Sequence, residues 1–170
     1  MKEPRKTNEV VIESIIISLV ELLKQKSFDD ISIVEIIAHA GVSRNSFYRN
    51  FSNKEDILVQ YIAKITDDFV ESSSITSLSD SWEDYVSTLF LHLYNNRDVT
   101  DIFIKNDKMH LISKVFNSFI AEKTNDRLDF YHACFLSGGL FNIYYHWAKT
   151  DYADSIDTIA RSFSHVILGI

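Results

Sequence analysis

Apolar positions recur along most of this chain at spacings of three and four residues, the period of a helix buried on one side. From Glu9 to Lys26 they fall at Val11, Ile12, Ile15, Ile16, Leu19, Val20, Leu22 and Leu23, a stripe wide enough for a supporting helix. Phe28 and Ile31, in the short link that follows, belong with the same core. Ile33, Ile36, Ile37 and Ala40 carry the period through a shorter run. That run opens at Ser32, whose S-x-x-E spacing to Glu35 predicts a capping box, with Ile31 and Ile36 placed as a hydrophobic staple. It closes at Gly41, where a left-handed residue ends a helix at no steric cost. Ser43 predicts the N-cap of a second short helix, with Phe47 and Phe51, four apart, on its inner face.

A longer period begins after Asn53. Lys54, Glu55 and Asp56 open it, and Ile57, Leu58, Tyr61, Ile62, Ile65 and Phe69 predict a helix over 54–72. Residues 72–79 are polar and lack periodicity, so they read as a loop. Asp80 and Glu83 mark a further start, followed by Trp82, Tyr85, Val86, Leu89, Phe90 and Leu93 as far as Asn95-Asn96. Residues 98–105 read as one or two short turns carrying Ile102, Phe103 and Ile104. A helix over 107–123 and a turn at 124–126 come next. Residues 126–149 are apolar on nearly every side and must be covered on more than one face. Gly138-Gly139 in the middle of that helix costs about 1 kcal/mol per glycine, which predicts a neighbouring backbone close by. The last period, 155–168, presents Ile156, Ile159, Ala160, Phe163, Val166 and Ile167. Only four Gly and one Pro interrupt 170 residues, so the fold class is all-α.

Two short helices around a glycine turn, the second bearing Arg44, Asn45, Ser46, Tyr48 and Arg49 outward, form the helix-turn-helix arrangement. A net charge of −7 argues at first against DNA. Its distribution does not. Residues 1–60 hold eight Lys/Arg against nine Asp/Glu, whereas the remaining 110 hold nine against fifteen. The basic residues collect in the N-terminal arm (Lys2, Arg5, Lys6), which either follows phosphates or is a solvated terminus, and at Arg44, Arg49 and Lys54. A locally positive face on an acidic body binds DNA with strong salt dependence.

The run Ile36-Ile37-Ala38-His39-Ala40-Gly41-Val42-Ser43, followed by Phe47-Tyr48-Arg49-Asn50-Phe51-Ser52-Asn53-Lys54-Glu55-Asp56-Ile57-Leu58, resembles the signature of TetR-family transcriptional regulators. The resemblance covers roughly the first third of the chain. It implies a helix-turn-helix DNA-binding domain over 1–53 and a helical effector-binding and dimerisation domain over 54–170, entered by the helix 54–72. Carried over position by position, it implies that Ser32, Ser43, Tyr48 and Lys54 touch phosphates and that Arg44, Asn45, Ser46, Arg49 and Asn50 face bases. The chemistry agrees, since Arg can pair twice with a guanine edge and Asn with adenine. The run from Phe135 to Trp147 is similar to the family's closing helix pair, which builds a four-helix bundle with a second copy. In this form it resembles the compact group that includes regulators of dihydroxyacetone kinase operons. That likeness implies a homodimer meeting through Gly138, Gly139, Phe141, Phe163 and Ile167, reading a palindromic operator as a repressor released by a small-molecule effector. An activator or co-activator working with a partner protein is the alternative on the same fold. An enzyme or small-molecule carrier with a vestigial DNA domain is the alternative from another class.

Within 80–150, Trp82, Phe90, Phe103, Met109, Phe116, Phe119, Tyr131, Phe135 and Tyr145 are placed either to line an effector cavity or to fill a plain core. His92, His110, His132 and Asn142 would be its polar contacts. No two histidines of 80–170 stand three or four apart, and no metal or other cofactor is expected. Neither a phosphate loop nor a nucleophile turn is present, so no enzymatic activity is expected. The single Cys134 excludes a disulfide framework and reads as a buried thiol. A charged start, and no stretch near the roughly 20 apolar residues a span needs, imply a cytoplasmic protein.

Overall fold

The computed structural model describes residues 8–72, 82–123 and 127–168, the side chains of 72, 82, 119–123, 127–129 and 167–168 excepted. The basic arm, the 73–79 part of the expected loop and the 124–126 turn lie outside the described residues. Among the described residues all regular structure is helical: α1 (Asn8–Leu23), α2 (Ile33–Ala40), α3 (Arg44–Asn50), α4 (Lys54–Ser72), α5 (Trp82–Asn95), α6 (Arg97–Lys105), α7 (Met109–Lys123), α8 (Arg127–Lys149) and α9 (Ile156–Leu168). They form two compact units, Met1–Ala63 and Lys64–Ile170, which divide within α4.

In the first unit α1 packs on both α2 and α3, burying Val11, Ile15, Ile16, Leu19, Leu22 and Leu23. Ile31 and Ile36 are both fully buried, as a staple requires. Only half of the expected capping box forms. Ser32 Oγ accepts from the Glu35 N–H at 3.2 Å, but the Glu35 carboxylate takes the Lys26 ammonium. That hydrogen bond holds the Glu35 carboxyl below its ordinary range. A full charge from the turn after α1 competes better for the carboxylate than one backbone N–H does. His39 makes a second bridge between α2 and α1, its Nδ1 3.2 Å from Ser18 Oγ and its Nε2 3.7 Å from a Glu21 carboxylate oxygen.

In the second unit α5 packs along α9, and α8 packs on α6 and α7. One core gathers Phe69, Val86, Leu89, Phe90, Tyr144, Trp147, Ile159, Ala160 and Phe163. Residues 97–105 are a full helix rather than isolated turns, because Thr100 and Phe103 are both buried. Asp107 is its left-handed end at φ 54°, with the Lys108 N–H reaching back to the Phe103 carbonyl at 2.8 Å. The residue read as the start of the next helix is therefore the terminator of the previous one, and α7 begins two residues later. Asp151 (φ 55°) ends α8 in the same way, followed by Tyr152 at φ 56°. Two successive left-handed residues without glycine cost about 1–2 kcal/mol each. They seat the Tyr152 ring edge-on against Trp147, centroids 4.9 Å apart, and against Tyr94 at 5.4 Å. Trp147 Nε1–H donates to the Asp154 carbonyl at 2.9 Å, and Ser155 caps α9 through the Thr158 N–H.

The Tyr144 hydroxyl bonds Thr100 Oγ1, and the Tyr152 hydroxyl is buried beside them. Burial pushes both phenols above the ordinary tyrosine value of 10.0, and for Tyr152 the neighbouring Tyr144 and Asp101 charges add to it. A phenol whose pKa rises on folding stabilises the fold below its unfolded value, and that contribution is lost as pH climbs towards the folded value. The melting temperature is thus expected to fall above about pH 10, and Tyr152→Phe to make that fall shallower. Calorimetric melts of both proteins across the alkaline range check this, and equal slopes would remove Tyr152 from the account.

Candidate nucleic-acid interface

The turn of the first unit is built as its residues dictate. Gly41 sits at φ 62°, ψ 36°, its N–H reaching the Ala38 carbonyl while the Val42 N–H reaches that of Ile37. This paired pattern satisfies the last carbonyls of α2 and turns the chain sharply into Ser43. Ser43 Oγ accepts from the Ser46 N–H at 3.1 Å, starting α3. Phe47 is fully buried and Phe51 nearly so, their ring centroids 5.8 Å apart. One face of this seven-residue helix is thus anchored.

On the other face Arg44, Asn45, Tyr48 and Arg49 are exposed together. Tyr48 is 58% exposed, its ring held edge-on by Phe47 at 5.2 Å. Among the described residues no ion pair engages Arg44 or Arg49, so both guanidinium groups are available to an external acceptor. Ser32, at the cap of α2, is also exposed.

Four of the residues expected at this interface, Ser43, Ser46, Asn50 and Lys54, have partners within the unit. Ser46 is half-buried, its hydroxyl 2.9 Å from that of Ser43, so these two caps satisfy each other. Asn50 donates through its amide to the Ser46 carbonyl at 2.9 Å and accepts from Asn8 at 3.0 Å. Its own backbone carbonyl takes Gln60 Nε2 at 2.9 Å. Asn50 therefore latches the end of α3 to α1 and α4 instead of presenting its amide to a base edge. Lys54 turns inward, its Nζ donating at 2.7 Å to the carbonyls of both Phe28 and Ile31. Backbone carbonyls in a turn leave no mark on side-chain spacing, so the sequence pattern carries no signal for this contact. The start of α4 is likewise closed internally: Asn53 Oδ1 accepts from the Asp56 N–H, and the Asp56 carboxylate accepts from the Ser52 N–H. That cap was readable from the Asn53-x-x-Asp56 spacing.

Among the described residues, those proposed for an effector cavity are divided between the core and the surface. Phe90, Phe103 and Met109 are buried, and Phe90 packs on Tyr144 and Trp147 as core. Phe116 is half-buried. Tyr131 and Phe135 are 63% and 67% exposed on α8, and the core residues Tyr144 and Trp147 lie on the opposite side of that helix. Tyr145 is half-buried and stacks on Phe141. His92 is bonded to the Ile65 carbonyl at 3.1 Å, and His110 and His132 are exposed. Asn142 lines an open groove of 330 Å³ with Ile143, His146, Trp147, Asp154 and Ile159. The side chains of Trp82, Phe119 and Ile167 lie outside the described residues. Cys134 is half-buried rather than buried, being near the rim of the exposed face of α8.

Of the residues expected at a dimer contact, Phe163 is inside its own chain's core, 3.8 Å from where a Cβ on Gly139 would lie. Among the described residues no neighbouring backbone lies within 4 Å of where a Cβ on either glycine would be. A Cβ on Gly138 would meet nothing within 4 Å, which leaves that side of α8 open, between exposed Phe135 and exposed Asn142. No described helix is long and apolar enough to cross a membrane.

Residues 15–61 match the family described as bacterial regulatory proteins, tetR family. No curated protein sequence matches the chain significantly. Among solved structures, the dihydroxyacetone kinase operon activator DhaS is similar, with a TM-score of 0.57 over 94% of each chain at 17% identity. At that identity the likeness is one of fold.

Proposed function

As a TetR-family DNA-binding regulator whose matched residues, 15–61, contain the reading helix, this chain is, we propose, a homodimeric transcriptional repressor of a palindromic operator. The observation that carries the reading is the pairing of the two faces of α3: Phe47 locked in the core and Arg44, Asn45, Tyr48 and Arg49 left together in solvent. A helix so anchored holds two exposed guanidinium groups and an amide at a fixed spacing, which is what recognition of base edges in a major groove requires. The face of α8 with Tyr131, Phe135, Gly138 and Asn142 supplies the contact with a second copy. Its exposed aromatics and absent Cβ fit close packing of helix on helix. A small molecule that favours a different geometry of the two copies would release the operator by shifting a population between them.

Capture of genomic fragments by the purified protein, followed by sequencing, tests this reading. The expected result is a small set of palindromes whose half-site centres lie about 10 bp apart or a multiple of that. Retention of no fragment at low salt would overturn it in favour of a carrier or enzyme. Reporter expression from those fragments in a deletion strain fixes the sign, since gain of expression marks repression and loss marks activation.

A further inference from the structure

The reading helix is pinned at its middle and gripped at its end. Phe47, the central residue of α3, is fully buried, and Arg44 and Arg49 stand on either side of it along the helix. At the rise of an α-helix those two arginines are about 7.5 Å apart along the axis. A small tilt about the Phe47 ring therefore carries them in opposite senses. Whatever holds the end of α3 decides where Arg49 meets a base edge.

The last carbonyls of a helix have no partner within it. In α3 the Phe51 N–H reaches the Phe47 carbonyl at 2.9 Å, and the carbonyl of Asn50, the last residue of the helix, accepts from Gln60 Nε2 at 2.9 Å. Gln60 is half-buried on α4 between Leu58 and Ile62, and both of these are buried. Their burial fixes the rotation of α4, so the amide cannot follow an α3 that shifts. Asn8 also reaches Asn50, but through two exposed side-chain amides, where water competes for the same groups. The Gln60 bond is different, because it grips the backbone of the reading helix and is partly sheltered from solvent. It is also made by the helix within which the chain divides into its two units, one turn before the division after Ala63.

We infer that Gln60 is a positioning residue for the reading helix: its amide fixes the end of α3 against α4 and so sets where Arg49 stands over the base edges. The inference rests on the DNA-binding reading above. Gln60 acts through Arg49, and its loss costs sequence preference rather than the general attraction to phosphates.

The test is Gln60→Met in the full chain, compared with the parent on a captured operator fragment and on scrambled DNA, at a temperature where melting curves show both folded. Methionine keeps an unbranched stem of similar length and deletes the donor. The ratio of operator to scrambled affinity is expected to fall about three- to tenfold, the worth of one neutral hydrogen bond, with scrambled affinity unchanged. Double-mutant cycles then locate the effect. In an Arg49→Ala background Gln60→Met should cost little further, whereas in an Arg44→Ala background the full loss should persist. An unchanged ratio, whatever the melting temperature does, would make Gln60 structural only and overturn the inference. Equal losses in the two backgrounds would overturn it as well, since Gln60 would then not act through Arg49. If Gln60→Met does not fold, Gln60→Glu decides by the same ratio. The carboxylate keeps the shape and has no donor, and its added charge weakens operator and scrambled DNA alike. Retention of no fragment by the unaltered protein is a separate result, which removes the DNA reading and this inference together.

Discussion

Replacing Phe47 by alanine is expected to destabilise the first unit by about 3–5 kcal/mol and to abolish operator binding as a consequence. The ring is 0% exposed and meets Phe51 on one side and the edge of Tyr48 on the other. The unit that must absorb the loss spans only Met1–Ala63. Domains of that length hold a few kcal/mol in total, because they bury a smaller share of their surface than larger ones. The cavity term therefore consumes most or all of the unit's margin. Calorimetry with limited proteolysis measures it: cleavage within 8–63 should become rapid while fragments from 82–168 persist. A variant whose first unit resists protease as the parent does would show that the helix is not held by this ring.

Arg44→Ala with Arg49→Ala is the complementary case, in which the fold is kept and the reading lost. Each arginine paired to a base edge carries about 1–3 kcal/mol of discrimination, so the double variant should bind its operator about 10² to 10⁴-fold more weakly. Melting should be unchanged, since both side chains are exposed and neither is in an ion pair among the described residues. Footprinting on operator and on scrambled DNA separates loss of sequence preference from loss of charge. An unchanged operator footprint would remove α3 as the reading element.

Particular residues show where sequence was enough. The frame of the first unit was legible because its signals are local. Gly41 at a left-handed φ, Ser43 as a cap and Phe47 with Phe51 on one face each rest on neighbours within four positions. The internal partners of Lys54 and Asn50 were not legible, because they lie 26 and 42 residues away in sequence and in the case of Lys54 are backbone carbonyls, which no side-chain pattern announces. In the second unit the helix start expected at Asp107 falls two residues early, since aspartate usually marks a start and here adopts the backbone conformation that glycine favours. Aromatic spacing on α8 identified a helix but not its sides. Tyr131 and Phe135 share the period of Tyr144 and Trp147 while facing the opposite way.

The bonds that tie the first unit together also have a consequence in time. Lys26 to Glu35 closes a separation of nine residues, Ser18 to His39 one of 21, Phe28 to Lys54 one of 26, and Asn8 to Asn50 one of 42. Short loops are cheap to close, and helical units dominated by near neighbours assemble on the order of microseconds to milliseconds. When thermal motion opens this unit, its parts are still within reach of one another and re-form before a molecule has diffused far. The interval during which the protein is blind to DNA is correspondingly brief.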